Sequence, residues 1–264
     1  MSTMSVSHKV VPLAEWLEAR RTLLEREKAL TRELDTLRRE RRELPWVRVE
    51  KKYVFDGPEG KVSLADLFRG RSQLIVQHFM MGTGWKDGCV GCSFKSDHID
   101  GMLAHLEHHD VSFVSVSHAP LAEIEAFKKR MGWKFVWLSS FGSDFNYDFH
   151  VSYTPEQMAS GQVYYNYNFI PASCEELSGD SVFYRDSNGD IFHTYSTHGR
   201  GDEMFVGTYM YLDITPKGRN ENGPRYNLTD WVRHHDRYED GGSVNEQGRY
   251  VAVKKTACGC EDQA

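Results

Sequence analysis

Cysteine and proline are scarce in this sequence, and positive charge is outnumbered by negative charge. It has five cysteines and eight prolines in 264 residues, and 32 Lys and Arg stand against 38 Asp and Glu. A small, odd number of cysteines excludes a disulfide scaffold of the secreted type. The net charge of −6 argues against nucleic acid as a partner, because proteins that bind phosphates usually carry a basic excess.

Long apolar runs are also missing. No stretch approaches the roughly 18 residues that a membrane-spanning helix needs, so we expect no membrane association. The first residues lack the apolar core of a secretory signal. The sequence therefore predicts a cytoplasmic protein whose cysteines are either reactive groups or ordinary core residues.

Residues 1–45 carry the pattern of a long helical arm. A heptad stripe consists of Trp16, Leu23, Leu30, Leu37 and Leu44. Charged side chains of both signs fill the positions between, as in a solvated helix, and Pro45 ends the pattern. We predict that the arm packs either on its own domain or on a second copy of the chain. Of these we expect a homodimer, formed through this helix.

Residues 46–218 alternate between short apolar strands and helical stretches, which predicts an α/β domain with a central mixed sheet flanked by helices. The predicted strands are 53–55, 74–80, 111–116, 134–138, 181–185 and 190–194. The predicted helices are 93–107, 121–131 and 203–212. An aromatic-rich insertion at about 141–170 either walls a pocket over the reactive cysteines or covers the sheet.

Residues 219–264 are polar and rich in glycine and asparagine. They predict an irregular, loosely held C-terminal tail in which only Trp231 and Val232 pack.

The strongest local pattern is the Cys-Val-Gly-Cys run that holds Cys89 and Cys92. It follows a predicted buried strand and opens a predicted helix. Unpaired N–H groups at a helix start stabilise a thiolate. Cys89 is therefore predicted to be the attacking thiolate, and Cys92 the less exposed, resolving thiol. Lys86 and Lys95 are expected to add positive potential, which Asp87 would oppose.

A metal site is the alternative, from a different class of function. A CxxC pair supplies two of the four ligands of a tetrahedral zinc ion. His98, Cys258 and Cys260 are the candidates to complete a zinc or iron–sulfur site, which would make the protein a carrier or sensor. No third ligand lies at a spacing that forces this interpretation. We therefore rank first a thiol–disulfide exchange that needs no cofactor and acts on an unknown protein or small-molecule thiol or disulfide.

Other candidate groups are weaker. Cys174 is predicted to be an isolated buried thiol. The Cys258-Gly259-Cys260 motif would either relay a disulfide to Cys89, capture a soft metal or have no role. Two clusters, His108-His109-Asp110 and His234-His235-Asp236, are predicted to be solvated patches, because adjacent histidines on a helix point in different directions.

The order of elements resembles the thioredoxin fold, with a strand, a CxxC at the head of a helix, a crossover, a hairpin and a closing helix. Several longer stretches resemble a bacterial family called DUF899, from the N-terminal arm to about Tyr238. They are 53–68, 141–149, 181–186 and 230–236. The family is described as thioredoxin-like and labelled as predicted dithiol–disulfide oxidoreductases. The resemblance implies a thioredoxin-like fold and, more weakly, a redox function.

Two departures from the wider thioredoxin pattern bear on mechanism. Thioredoxins place a cis-proline opposite the CxxC, whereas the corresponding stretch here, 175–182, has no proline. Its loss is expected to leave room beside the sulfurs. Peroxiredoxins place Thr or Ser three residues before the reactive cysteine, and Lys86 stands there before Cys89. A peroxiredoxin-type peroxidase is therefore disfavoured.

Overall fold

The computed structural model describes residues 8–253, in which strands and helices alternate along the chain. The strands are β1 (Val47–Arg48), β2 (Val54–Gly57), β3 (Gly60–Ser63), β4 (Gln73–His78), β5 (Val111–Ser117), β6 (Val136–Ser139), β7 (Gln162–Tyr165), β8 (Asn168–Pro171), β9 (Gly179–Arg185), β10 (Ile191–His198), β11 (Ser243–Val244) and β12 (Tyr250–Val251). The helices are α1 (Leu13–Arg42), α2 (Val90–Ser96), α3 (Leu103–His108), α4 (Leu121–Met131), α5 (Phe145–Asp148), α6 (Pro155–Ala159) and α7 (Gly207–Leu212). Short 3-10 turns lie at Asp66–Phe68, Gly199–Phe205 and Leu228–Asp230.

An eight-stranded sheet forms the centre of the fold, in the order β1-β10-β9-β4-β5-β6-β2-β3. Strands β4, β5 and β6 are parallel, and Ile75 pairs with Phe113. Strand β9 runs antiparallel to β4, with His78 opposite Gly179, and forms a hairpin with β10. A parallel crossover followed by an antiparallel hairpin, with the cysteine pair just beyond the central strand, is a thioredoxin-like fold. The predicted fold class is confirmed.

The two sides of the sheet bury separate apolar clusters, because side chains alternate along a strand. Leu74 and Val76 on β4 point into one cluster with Phe55 and Phe183. Ile75 points the other way, onto a cluster that contains several aromatic rings and three cysteines. The members of this second cluster include Phe79, Phe127, Trp133, Trp137, Cys89, Cys92 and Cys174. The cysteine pair thus lies in a part of the core that is packed with aromatic side chains.

Several predicted elements occur where the sequence indicates them. Helix α4 spans the predicted residues 121–131 and ends at Gly132, whose φ of 71° provides a left-handed cap. The Asn-Gly hairpin is present as β9 and β10.

The predicted helix 93–107 is wrong, because the chain forms α2 and α3 with a break at 97–102. Two aspartates of this stretch bind the loop that follows α4. Asp97 accepts a hydrogen bond from the Trp133 indole at 2.8 Å, and Asp100 accepts the main-chain N–H groups of Lys134 and Phe135. These carboxylates fix the loop between α4 and β6.

Helix α1 is the predicted arm, yet none of its side chains is buried against the rest of the described chain. The stripe members Trp16, Leu23, Leu30, Leu37 and Leu44 are all exposed. Near the end of the helix the Arg41 guanidinium stacks over the Tyr195 ring, 4.7 Å from its centroid. Packing of the arm on its own domain is therefore slight. Neither α1 nor any other helix within residues 8–253 is both long and apolar enough to cross a membrane.

The aromatic insertion at 141–170 covers the sheet. The rings of Phe145 and Phe149 lie 4.7 Å apart and pack on Tyr53 and Phe183. Strands β7 and β8 form a separate hairpin beside this cluster. As far as the described residues go, no part of 141–170 lines the cavity at the cysteines, so the prediction that it walls a pocket there is wrong.

The loosely held tail predicted after residue 218 is wrong for its described part. Val232 and Val244 are buried with Val90 and Phe94 of α2. Residues 227–250, here called the C-terminal cap, contain the Leu228–Asp230 turn and the β11–β12 hairpin. Asn227 begins this turn with a side-chain cap on the N–H of Thr229. The sequence shows no periodicity because turns and single packed side chains, rather than long elements, hold the cap.

Candidate active site

Cys89 is the last residue of the loop that joins β4 to α2. Its N–H donates to the carbonyl of Met80, and its own carbonyl accepts from the N–H and hydroxyl of Ser93. Gly88 precedes it where only glycine fits, because an added Cβ would stand 2.5 Å from Phe79. Both cysteines therefore lie at the start of the helix that follows the buried strand, as predicted, although α2 is only a short helix.

The two thiols interact with each other. A hydrogen bond from the Cys92 thiol lowers the pKa of Cys89, against the effect of burial, and the N–H groups of Cys92 and Gly91 act in the same direction. The same hydrogen bond, together with burial, raises the pKa of Cys92 well above its usual value. The two shifts have the directions that a thiolate at Cys89 and a protonated thiol at Cys92 would require. Both are buried, with exposures of 7% and 5%, so their accessibility differs little.

A cavity of about 400 Å³ lies beside the sulfurs. Its lining includes Cys89, Cys92, Lys95, Cys174, Asp202 and Gly248. The volume falls in the range that accommodates small ligands. Leu177 and Ser178, which precede β9, also line it, which agrees with the expected room on the side where thioredoxins carry their proline. No cis peptide bond occurs within residues 8–253.

Cys174 is a third cysteine at this cavity. It is buried, as predicted, but it belongs to the same cluster as Cys89 and Cys92 rather than standing alone. Burial raises the pKa of its thiol to about 11, so it is protonated at neutral pH. No sequence pattern connects it to the CxxC, since the fold alone brings these distant positions together.

Lys95 lies one helical turn beyond Cys92 and is buried with two carboxylates. Its Nζ stands 2.7 Å from Asp180 and 3.0 Å from Asp202. Burial opposes the charge on Lys95, but the two carboxylates outweigh it and raise the pKa of the ammonium group. Because two aspartates face one lysine, this group does not supply the net positive potential expected from Lys95. Asp87 is likewise paired, with Arg130.

The C-terminal cap lies directly over Cys89. The carbonyl of Gly248 accepts the N–H of Val90 at 3.0 Å, and a Cβ built on Gly248 would stand 3.1 Å from the Cys89 sulfur. Gly248 also has a φ of 76°, so a larger residue here would be strained in its backbone and would press on the Cys89 sulfur. Nearby, the Arg249 guanidinium stacks 3.9 Å from the centre of the Trp85 ring.

His234 anchors this cap to the CxxC loop, and the prediction of a solvated cluster is wrong for it. The ring is fully buried, donates from Nε2 to the carbonyl of Gly88 at 2.9 Å, and accepts from Arg130 at Nδ1. Burial lowers the pKa of His234, so the ring is neutral. His235 and Asp236 are exposed or nearly so, and the other cluster, 108–110, is exposed as predicted.

The proposed metal ligands are not brought together in the described part of the chain. His98 turns away from the sulfurs, and its Nε2 accepts the N–H of Thr208 and lies 2.9 Å from the hydroxyl of that residue. Residues 8–253 contain no group of three or more potential ligands in metal-binding geometry. Cys258 and Cys260 lie outside the described residues. Two thiolates alone make half of a tetrahedral shell.

Solved structures that show some similarity to this one include redox proteins. Peroxidoxin BcpB from Mycobacterium tuberculosis is 12% identical, with a TM-score of 0.39 over 64% of this chain and 97% of that one. A candidate thiol:disulfide interchange protein DsbE from Chlorobium tepidum is 13% identical (TM-score 0.37, 62% and 99% coverage). A candidate protein disulfide isomerase from Bacteroides thetaiotaomicron is 16% identical (TM-score 0.37, 67% and 96%).

At these scores the overall shapes differ, and the fold assignment stands on the strand order and on the place of the cysteines in it. Several of the similar structures are peroxiredoxins, so they give no support to the expectation that a peroxidase activity is absent. No curated protein matches the sequence. A family described as a bacterial protein of unknown function, DUF899, matches residues 5–238, and the chain belongs to this family.

Proposed function

We propose that the protein is a thiol–disulfide oxidoreductase that uses Cys89 and Cys92. The observation that carries the proposal is the hydrogen-bonded thiol pair beside a cavity, in which the pKa of Cys89 is lowered and that of Cys92 is raised. A nucleophilic thiolate next to a protonated resolving thiol is what reversible dithiol exchange requires.

In the proposed reaction, the Cys89 thiolate attacks one sulfur of a substrate disulfide, and the other substrate sulfur leaves as a thiolate. The substrate is then joined to Cys89 by a mixed disulfide. Cys92 loses its proton and attacks the Cys89 sulfur, which releases the second substrate thiolate. The protein ends with a Cys89–Cys92 disulfide, and the substrate disulfide has gained two electrons and two protons to become two thiols. A thiol reductant then returns the pair to the reduced state.

The surroundings support this division of roles. The Met80 N–H donates to the Cys92 sulfur at 3.5 Å and gives partial support to the charge that develops there. Gly88 and His234 fix the loop that carries Cys89, so little ordering is needed before attack. A reducing cytoplasm, which stays our predicted location, would keep such a pair available as thiols.

The test uses variants in a Cys258→Ser/Cys260→Ser background, so that Cys89, Cys92 and Cys174 are the remaining thiols. Reduced protein is mixed with the disulfide DTNB, the released thiolate is measured by absorbance, and the new disulfide is mapped by mass spectrometry. We expect a Cys89–Cys92 disulfide, no reaction in Cys89→Ser, and a trapped mixed disulfide on Cys89 in Cys92→Ser. Cys174→Ser is the matched control, and it should react like its parent.

Equal reactivity of Cys89→Ser and its parent would refute the proposal. Hydrogen peroxide is used as a second oxidant in the same assay, because the prediction against a peroxidase rests only on the residues three positions before Cys89 and Cys92, which are Lys86 and Cys89. The metal-binding alternative requires further ligands from Cys258, Cys260 or a second chain. Metal analysis and an absorption spectrum of the full-length protein purified without oxygen test it directly, and tight binding with no disulfide turnover would favour that alternative.

A further inference from the structure

The cavity beside the sulfurs bears on which disulfides the thiol pair accepts. Cys89 is 7% exposed, and Gly248 of the C-terminal cap lies against its sulfur, so little of it faces the outside. The cavity that both thiols line holds about 400 Å³, a volume that suits a small ligand. The chemistry of its other lining residues therefore selects among small disulfides.

Acidic side chains outnumber basic ones in this lining. Its charged members are Lys95, Arg200, Asp202, Glu203 and Glu246. Lys95 shares its single charge between Asp202 and Asp180, and Asp180 does not itself line the cavity. The Arg200 side chain is 81% exposed and lies 3.3 Å from Glu203, so its charge is turned to solvent and already paired. One lysine does not balance two carboxylates, and the cavity is left with negative charge beside the sulfurs.

Asp202 is the carboxylate best placed to meet a ligand. It is 9% exposed, it lines the cavity, and its Oδ2 lies 3.0 Å from the Lys95 Nζ. Its other oxygen, Oδ1, accepts no hydrogen bond from any residue within 8–253. A buried carboxylate oxygen is satisfied best by a charged donor such as an ammonium group.

The charge of Asp202 also acts on the nucleophile. The pKa of Cys89 is lowered first of all by the hydrogen bond from Cys92, and the negative charge of Asp202 opposes that effect. An ammonium group beside Asp202 would offset this charge and so favour the Cys89 thiolate. A cation at this position would therefore help both binding and attack.

We propose that the cavity takes low-molecular-weight disulfides that carry an ammonium group near the sulfur, and that Asp202 binds this group. The proposal rests on the proposed function. The Cys89 thiolate attacks one substrate sulfur and the first aminothiol leaves, after which Cys92 attacks Cys89 and releases the second. The substrate gains two electrons and two protons from the two protein thiols, which end as a Cys89–Cys92 disulfide.

The first experiment compares three disulfides whose sulfurs carry the same two-carbon arms but different end groups. They are cystamine, which is cationic, hydroxyethyl disulfide, which is neutral, and dithiodipropionate, which is anionic. Each reacts with reduced Cys258→Ser/Cys260→Ser, and the Cys89–Cys92 disulfide is measured by mass spectrometry after an acid quench. Each rate is divided by the rate of free mercaptoethanol with the same disulfide. We expect cystamine to exceed the neutral compound about tenfold, with dithiodipropionate slowest, and added salt to narrow the differences.

The second experiment replaces the carboxylate. In Asp202→Asn the ratio of cystamine to neutral rates should fall towards one. The neutral disulfide should react at least as fast as before, because a charge that opposes the Cys89 thiolate has gone. Asp180→Asn is the matched control, since it removes the other carboxylate from Lys95 but none from the cavity lining. It should keep the preference for cystamine.

The outcomes separate this proposal from the proposed function. Equal normalised rates for the three disulfides, or a preference that Asp180→Asn lowers as much as Asp202→Asn does, would overturn the cationic substrate and leave thiol–disulfide exchange intact. If none of the three, nor DTNB, produces a Cys89–Cys92 disulfide, the proposed function itself fails. The comparison of the three disulfides needs neither aspartate variant, so it decides the question even if one of them does not fold.

Discussion

The Cys89 thiolate depends on a single side chain more than on anything else around it. The hydrogen bond from Cys92 is the largest influence that lowers the pKa of Cys89, and burial acts against it. The short helix α2 and Lys95, whose charge two aspartates neutralise, contribute less to lowering the pKa of Cys89 than the sequence suggested. Residue 92 therefore controls both steps of the proposed reaction, first as a donor to the nucleophile and then as the resolving thiol.

Replacing Cys92 should accordingly change the reactivity of Cys89 in a way that depends on the substitute. In Cys92→Ala the donor is lost, so the pKa of Cys89 rises, and its alkylation rate at pH 7 should fall roughly tenfold for each unit of that rise. In Cys92→Ser a hydroxyl can still donate, so the rate should lie closer to wild type. The measurement is the rate of iodoacetamide reaction at Cys89 against pH, in the Cys258→Ser/Cys260→Ser background. Identical pH profiles for Ala and Ser would contradict this account.

At the scale of single residues, the sequence predicts features that depend on neighbouring residues and misses contacts between residues far apart in the chain. The place of Cys89 and Cys92 at the start of a helix follows from their spacing and from the strand before them, which neighbouring residues reveal. Cys174 reaches the same cavity from the segment before β9, and the partners of Lys95 come from β9 and from the turn at 199–205. No local pattern indicates these contacts, because tertiary packing alone creates them.

Among the secondary elements, the break between α2 and α3 and the C-terminal cap were least predictable. Helix α4 could be predicted to the residue because a proline precedes it and a glycine ends it. The stretch 97–102 makes hydrogen bonds to the loop before β6, and the cap depends on side chains such as His234 and Val244, which pack singly. Periodicity cannot reveal either feature.

The position of the cap over Cys89 gives a prediction with a matched control. Gly248 and Gly241 both have positive φ values, 76° and 68°, so alanine at either should lower the free energy of unfolding by about 1–3 kcal/mol. Only at Gly248 would the new Cβ meet the Cys89 sulfur, at 3.1 Å, whereas at Gly241 it would meet Val253 at an ordinary 3.7 Å.

We therefore expect Gly248→Ala to slow the alkylation of Cys89 several-fold and Gly241→Ala to leave it unchanged. Thermal unfolding measures the shared effect on stability, and the iodoacetamide rate measures the specific one. If both variants react like wild type while losing similar stability, the cap does not restrict access to Cys89 in solution.

At the scale of the whole molecule, the order of elements was enough to predict the fold, because few topologies join a parallel crossover to a closing hairpin. The order of elements does not show what the N-terminal arm packs against. Helix α1 is about 45 Å long at 1.5 Å per residue, and its leucine stripe has no cover among the described residues. We propose that a second copy of the chain covers it, as the heptad spacing indicates.

Light scattering tests this dimer. Wild type should give a mass near twice 30.4 kDa, and Leu30→Lys, in the middle of the stripe, should shift it towards one copy. Leu24→Lys is the control, because at 3.6 residues per turn Leu24 lies well around the helix from the stripe. A monomeric wild type, or equal effects of the two substitutions, would refute a dimer through this helix.

The stacking of Arg249 on Trp85 gives the protein a built-in optical signal. Trp85 is the one tryptophan within residues 8–253 that has a guanidinium over its ring, and its indole N–H donates to Glu175. Indole emission responds to nearby charge, so withdrawal of Arg249 would change the fluorescence of Trp85. Stopped-flow fluorescence could then time the motion of the cap against the chemistry at the sulfurs, without any attached label.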